Sequence, residues 1–174
     1  LTTVYPEHDW QPWRFPRLPP NYWRKIENRR KFFDALAAHL KLQSMDDWYN
    51  VSFEEVREFG GEAIIKKVYQ SSVPMALMDT YTDHTWLPWR FSRFPRALVQ
   101  NYPGSKYTVT NSKLLDKDQL AQLIVTHIAE SLSIQSLEDW YKVSYYHLKQ
   151  LGLQTLVLRL GGLTALLRRV HPDR

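Results

Sequence analysis

The chain has 174 residues, of which 44% are hydrophobic and 14% aromatic, enough to bury a packed core. Its 23 Lys and Arg exceed its 18 Asp and Glu, and the formal net charge of +5 favours a polyanionic partner. The lack of cysteine excludes disulfides, thiolate nucleophiles and cysteine-based zinc sites. No apolar run approaches the roughly 20 residues of a membrane helix, so we expect a soluble, intracellular protein whose compartment is open.

A tryptophan-rich aromatic motif occurs twice, as YPEHDWQPWRFPR at residues 5–17 and as YTDHTWLPWRFSRFPR at residues 81–96. A partial third copy, VHPDR, ends the sequence. This repetition predicts a tandem array cut from something longer. The repeat distance of about 76 to 90 residues is too long for a solenoid of single helix pairs, so each unit is predicted to be a small domain.

The first unit is predicted to begin with a long helix between residues 21 and 42, because apolar residues recur there at helical spacing. The apolar stripe consists of Ile26, Phe33, Leu36, Ala37 and Leu40. The neighbouring Arg29, Arg30 and Lys31 are expected in solvent.

Capping boxes and glycines mark the shorter helices that follow. Ser44 with Asp47 predicts a short helix that buries Trp48, Tyr49 and Val51. Ser52 with Glu55 predicts a helix over residues 53–59, which the glycines at 60 and 61 would end. Two more helices are predicted at residues 62–69 and 73–81.

The second unit repeats this order after an insertion at about residues 97–115, which contains a short strand or extended loop at 106–110. Helices are predicted at residues 116–134, 144–151, 154–160 and 163–170. The match between Asp47-Trp48-Tyr49 and Asp139-Trp140-Tyr141 predicts that the rings of both are buried. We therefore predict an all-α protein of two helical pseudo-repeats, residues 1–80 and 81–174, packed through the aromatic motifs as one rigid body.

Each motif copy places a carboxylate and a histidine before a tryptophan, as Glu7-His8 and as Asp83-His84. Such a pair can act as a general base or bind a metal. Adjacent residues rarely converge on one point, and no second shared histidine completes a site, so capping or ring packing is the favoured interpretation. We expect no cofactor and no enzymatic activity, while catalysis at a site between the repeats stays an alternative.

Arginines interleaved with aromatic rings favour nucleic-acid binding, because the cations can contact phosphates while the rings stack on bases. In the alternative interpretation the rings fill the core, and the arginines lie over rings or cap helices. The short helices of residues 52–81 can present lysines to a DNA backbone, although a generic helical bundle is the favoured interpretation. The candidate nucleic-acid-binding residues are Arg14, Arg17, Lys66, Lys67, Arg90, Arg93, Arg96 and Lys106.

The pattern YPEH-x-W-x-PWRF, followed by a helix ending in Gln-Ser and by Asp-Trp-Tyr-x-Val-Ser, resembles tandem-repeat modules of uncharacterised fungal and algal proteins. The resemblance covers nearly the whole chain and implies a repeated module, without an activity or site residues. The sequence Ser-Ser-x-Pro-x-Ala-Leu at residues 71–77 is also similar to repeats attached to homing endonucleases, which bind DNA. We expect a non-enzymatic module that binds DNA or RNA. A protein–protein interaction scaffold is the first alternative, and a hydrolase-type enzyme is the second.

Overall fold

The computed structural model describes residues 10–95 and 117–172, and every regular element in these ranges is helical. The predicted all-α class is therefore confirmed. The chain divides into two compact units, Leu1–Trp86 and Leu87–Arg174, so the division falls inside the second aromatic motif. Over the described ranges, no helix is both long and apolar enough to cross a membrane. Packing of the two units as one rigid body stays a prediction.

The first unit contains one long helix and three short ones. They are α1 (Ile26–Leu40), α2 (Phe53–Glu58), α3 (Glu62–Tyr69) and α4 (Val73–Thr80), with 3₁₀ helices at Pro12–Arg14, Tyr22–Arg24 and Met45–Asn50. The long helix begins later than its sequence pattern predicts, because Lys25 is extended and separates it from the preceding 3₁₀ turn. The predicted capping boxes at Ser44 and Ser52 are both present.

Aromatic rings build the core of the first unit around Phe32 of α1. The ring centroids of Trp13 and Trp23 lie 5.3 and 5.6 Å from that of Phe32, both in edge-to-face geometry. Phe59, at the end of α2, lies 5.8 Å away. Gly61 must be a glycine here, because a Cβ at this position would lie 2.4 Å from Phe32 Cζ. The glycine pair thus both ends α2 and lets the chain pass close to the core ring.

Arg29 is buried, so the expectation that it lies in solvent is wrong, whereas Arg30 and Lys31 are exposed as expected. The guanidinium of Arg29 lies 3.0 Å from the carboxylate of Asp79. The hydroxyl of Tyr69 donates to the same carboxylate oxygen at 2.5 Å. The three residues join α1, α3 and α4. A helical pattern cannot reveal this burial, because the partner aspartate lies on a helix far along the chain.

The described elements of the second unit follow the order of the first, except that no counterpart of the 3₁₀ helix at Tyr22–Arg24 lies among the described residues. They are a 3₁₀ helix at Pro88–Arg90, α5 (Lys117–Ser131), a 3₁₀ helix at Leu137–Lys142, α6 (Tyr145–Gln150), α7 (Gln154–Arg159) and α8 (Leu163–Val170). Helix α5 packs mainly against α8, and an exposed ion pair between Asp118 and Arg169 joins them at 3.0 Å. The predicted strand or loop at residues 106–110 lies outside the described ranges. The tandem-repeat interpretation stays a prediction.

Candidate functional site

All candidate cations that the structure describes are exposed. They are Arg14, Arg17, Lys66, Lys67, Arg90 and Arg93. Arg96 and Lys106 lie outside the described residues. Of the described cations, four belong to the first unit and two, Arg90 and Arg93, to the second unit. Exposure makes contact with a polyanion possible, but the surroundings of each cation decide whether it is suited to that role.

Arg14 lies in acidic surroundings. Its guanidinium carbon is 5.3 Å from the ring centroid of Phe59, as the core-packing interpretation of the motif predicts. Together with His39, Glu55 and Glu58 it lines an open cleft of about 400 Å³. Two carboxylates beside the guanidinium would repel a phosphate, so this cleft is poorly suited to nucleic acid.

One of the two glutamates that line this cleft already has a structural partner. Glu55 accepts a hydrogen bond from the backbone N–H of Ser52 at 2.7 Å and completes the capping box of α2. Lys66 is likewise paired, with Glu62 one turn earlier on α3. Ser72 accepts from the backbone N–H of Met75 and caps α4. These groups therefore serve local helix structure.

Residues 81–86, which we call the covering segment, close one side of the first unit. The ring of Tyr81 lies 5.9 Å from Trp48, and its hydroxyl donates to Asp34 at 2.7 Å. The ring of Trp86 meets Tyr49 edge to face at 5.5 Å. Burial, and then the bond to Asp34, raises the pKa of the Tyr81 phenol. This segment keeps the aromatic pair of the 3₁₀ helix out of water.

His84 packs its ring 4.5 Å from that of Trp86, edge to face, as the ring-packing interpretation of the motif predicts. Within the part of the chain that the structure describes, no three His, Asp or Glu side chains are grouped so that they could hold a metal ion. In the second unit, Trp89 lies 5.2 Å from His127, and burial lowers the pKa of this histidine. The described aromatic rings of the two motif copies pack mainly against other rings.

The corresponding aromatic residues of the second unit are not covered. Tyr141 is 93% exposed, whereas Tyr49 at the matching position of the first unit is 4% exposed. The prediction that both rings are buried is therefore wrong for Tyr141, and Trp140 is only half-buried. Tyr145 and Tyr146 at the start of α6 are also exposed, by 59% and 65%. We call these three exposed residues, Tyr141, Tyr145 and Tyr146, which lie close together in the sequence, the tyrosine face.

The segments that follow the last helix of each unit begin alike. His171 follows α8 as Tyr81 follows α4, and the N–H of each donates to the carbonyl four residues earlier. His171 is exposed, however, and only Pro172 is described beyond it. The described part of the second unit therefore has no tryptophan at the place where Trp86 covers Tyr49.

Charges of both signs surround the tyrosine face. Lys142 lies 2.7 Å from Asp139, and this contact, with bonds from Ser136 and the backbone, lowers the pKa of Asp139. The backbone N–H of Ser144 donates to Nδ1 of His147 at 3.2 Å, so that nitrogen acts as an acceptor. The sequence did contain a signal for this surface, because Tyr145-Tyr146 stands where the first unit has Phe53-Glu54.

No family model, curated protein or solved structure matches the chain in comparisons with known proteins. The resemblance to fungal and algal repeat modules and to repeats of homing endonucleases stays a prediction. The function must therefore be argued from the exposed surfaces.

Proposed function

We propose that the protein is a non-enzymatic interaction module that binds a polypeptide partner through the tyrosine face of its second unit. The observation that carries this proposal is the exposure of three tyrosines close together in the sequence, which is 93% for Tyr141, 59% for Tyr145 and 65% for Tyr146. Tyrosine is enriched among the residues that contribute most to binding at protein interfaces. Its ring supplies a large apolar contact area while its hydroxyl remains able to form hydrogen bonds.

The charges around the face support a polypeptide partner over a polyanion. Glu138 and Asp139 directly precede Trp140 in the sequence, and Asp139 neutralises the nearby ammonium group of Lys142. The lowered pKa of Asp139 keeps this carboxylate charged at neutral pH. A phosphate backbone approaching Tyr141 would meet these anions, whereas a mixed polar and aromatic surface is typical of protein interfaces.

Site-specific photo-crosslinking tests this proposal. A photoreactive benzoyl-phenylalanine replaces Tyr141 in one variant and Gln150, an exposed residue of the neighbouring helix α6, in a control variant. In an extract of the source cells, the variant at 141 should form a defined polypeptide adduct that survives nuclease treatment. Equal labelling from both positions, or an adduct that nuclease destroys, would contradict a polypeptide partner at this face.

Nucleic-acid binding is the second candidate function. The net charge of +5 and the exposed side chains of Arg17, Lys67 and Arg93 favour it. Affinity for single- and double-stranded DNA and for RNA can be measured by fluorescence anisotropy over a range of salt concentrations. Arg17→Gln and Arg93→Gln should each reduce the salt dependence by about one unit of slope. Absent binding at low salt, or binding that salt does not weaken, would reject this candidate.

A further inference from the structure

The capping boxes at the start of α2 and of α6 differ in the side chain that completes them. In the first unit, the carboxylate of Glu55 accepts a hydrogen bond from the backbone N–H of Ser52 at 2.7 Å. In the second unit, the matching residue is His147, whose Nδ1 accepts from the backbone N–H of Ser144 at 3.2 Å. Glutamate or glutamine usually makes this bond in a capping box. Histidine therefore gives the same bond a different chemistry.

The two acceptors respond differently to protons. A glutamate carboxylate generally stays ionised down to about pH 4, whereas an imidazole gains a proton between about pH 5 and 8. A protonated imidazole carries a hydrogen on both nitrogens, so Nδ1 of His147 could no longer accept from Ser144. The positive charge would also stand in the first turn of α6, where the helix dipole disfavours it. Both effects act against the start of α6 when the pH falls.

The surroundings of His147 do not replace this bond with an ion pair. The hydroxyl oxygen of Ser144 lies 3.3 Å from Nδ1, and the ring centroid of Tyr146 lies 6.2 Å from that of the imidazole. No ion pair joins His147 to another residue that the structure describes. Helix α6 packs mainly against α7. The charged groups on these helices and on the preceding 3₁₀ helix are Lys149, Arg159, Glu138, Asp139 and Lys142, of which the last two pair with each other.

We propose that His147 makes the start of α6 a proton-controlled element, which is closed while the imidazole is neutral and opens in mild acid. Tyr145 and Tyr146 are the first two residues of this helix, and both are exposed. Opening releases the turn that fixes their positions, whereas the buried Leu148 anchors the turn that follows. This inference goes beyond the proposed function and does not depend on a partner, because it concerns the fold of α6 alone.

Nuclear magnetic resonance of the whole chain, between about pH 8 and about pH 5, tests the proposal. At the higher pH the imidazole of His147 should carry its proton on Nε2, because Nδ1 accepts. As the pH falls, the amide signal of Ser144 should shift with the same midpoint as the His147 ring. Hydrogen exchange of the α6 amides, corrected for the intrinsic rate at each pH, should rise about fivefold. A neutral ring protonated on Nδ1, or a Ser144 amide that does not follow the ring, would overturn the proposal.

Two variants show whether the imidazole is responsible. In His147→Gln the amide oxygen can accept the same bond throughout this pH range, so the acid-dependent rise in exchange of α6 should disappear. Glu55→His makes the converse change and should give the start of α2 the acid sensitivity of α6. It also keeps the test decisive if His147→Gln does not fold. Acid-dependent exchange that persists in His147→Gln, or α2 exchange that stays insensitive in Glu55→His, would contradict the role of the imidazole.

Discussion

The buried residues Arg29, Asp79 and Tyr69 show how single side chains distinguish the two units. In the first unit they place an ion pair and a phenol between three helices, away from water. The matching positions on the long and last helices of the second unit hold Ala121 and Arg169, and the ion pair there is exposed. A buried ion pair adds little net stability over apolar residues, because desolvation offsets its attraction. Removing one partner is costly, since the other stays buried without compensation.

Arg29→Met should therefore destabilise the first unit by about 3 to 5 kcal/mol. The carboxylate of Asp79 would remain buried with only the hydroxyl of Tyr69 as a partner. Urea denaturation followed by tryptophan fluorescence measures the change. Arg30→Met is the matched control, because the neighbouring Arg30 pairs with Asp83 at 3.4 Å on the exposed side of α1. If both variants lose equal stability, the buried network is not the cause.

Two tyrosines of the first unit should resist ionisation at high pH. Burial, and then a hydrogen bond to a carboxylate, raises the pKa of Tyr69 and of Tyr81 above the ordinary tyrosine value. Because the unfolded chain loses these protons at about pH 10, it then binds fewer protons than the folded chain. The free energy of unfolding should fall as pH rises above that value.

Absorbance at 295 nm measures this ionisation. The signals of Tyr69 and Tyr81 should appear only when the first unit unfolds. Tyr69→Phe and Tyr81→Phe identify the late signals, since each removes one of them. A smooth titration of all tyrosines before any loss of circular dichroism would contradict the buried environment.

At the scale of elements, the junction between α2 and α3 shows two ways of filling the same space. The first unit pairs the large Phe32 with Gly61, whereas the matching positions of the second unit hold Ile124 and Leu153, both fully buried. A Cβ on Gly61 would lie 2.4 Å from Phe32 and 2.6 Å from Val56, although its backbone conformation suits any residue. The requirement for glycine is therefore one of packing.

Gly61→Ala should destabilise the first unit by about 1 to 3 kcal/mol through overpacking. Phe32→Leu in the same chain should recover part of this loss, because it removes the ring atoms that the new methyl group would touch. Urea denaturation of the two single variants and the double variant measures the coupling. Gly152→Ala, with free space around its Cβ position but a φ of +69°, measures the separate cost of a left-handed backbone, which Gly61 with a φ of −88° does not incur. Strictly additive losses at positions 61 and 32 would contradict direct contact.

Sequence patterns located these elements well where the responsible forces are local. The boxes at Ser44 and Ser52 begin helices as predicted, and α3 spans Glu62–Tyr69 as its pattern indicates. The patterns gave wrong predictions where contacts with distant parts of the chain determine whether a residue is buried. Arg29 is buried because an aspartate on α4 faces it, and Tyr141 is exposed because no described residue covers it. Burial at such positions depends on tertiary contacts, which local periodicity does not encode.

The candidate site shows the same limit. The described candidate cations are exposed, but the sequence did not reveal that Arg14 lines a cleft with two glutamates or that Lys66 pairs with Glu62. It also placed the important aromatic residues in the Trp-Arg-Phe motifs, whereas the most exposed rings lie in the second unit at Tyr141 and at the start of α6. The same type of residue can be buried in one unit and exposed in the other, as Tyr49 and Tyr141 are, because burial depends on which segment packs over it.

At the scale of the whole molecule, the two units differ in how completely they bury their aromatic residues. The rings around Phe32, and the pair Trp48 and Tyr49 under the covering segment, are all enclosed in the first unit. In the second unit, Trp140 and Tyr141 remain partly or wholly in water. Each square ångström of apolar surface removed from water contributes about 25 cal/mol. The burial of Trp140 and Tyr141 therefore contributes less stabilisation than the burial of Trp48 and Tyr49.

We expect the second unit to unfold at a lower urea concentration than the first. Hydrogen exchange measured by mass spectrometry can follow peptides from α1 and α5 separately. Amides of α5 should lose protection first. One shared transition would instead support the prediction that the units pack as one rigid body.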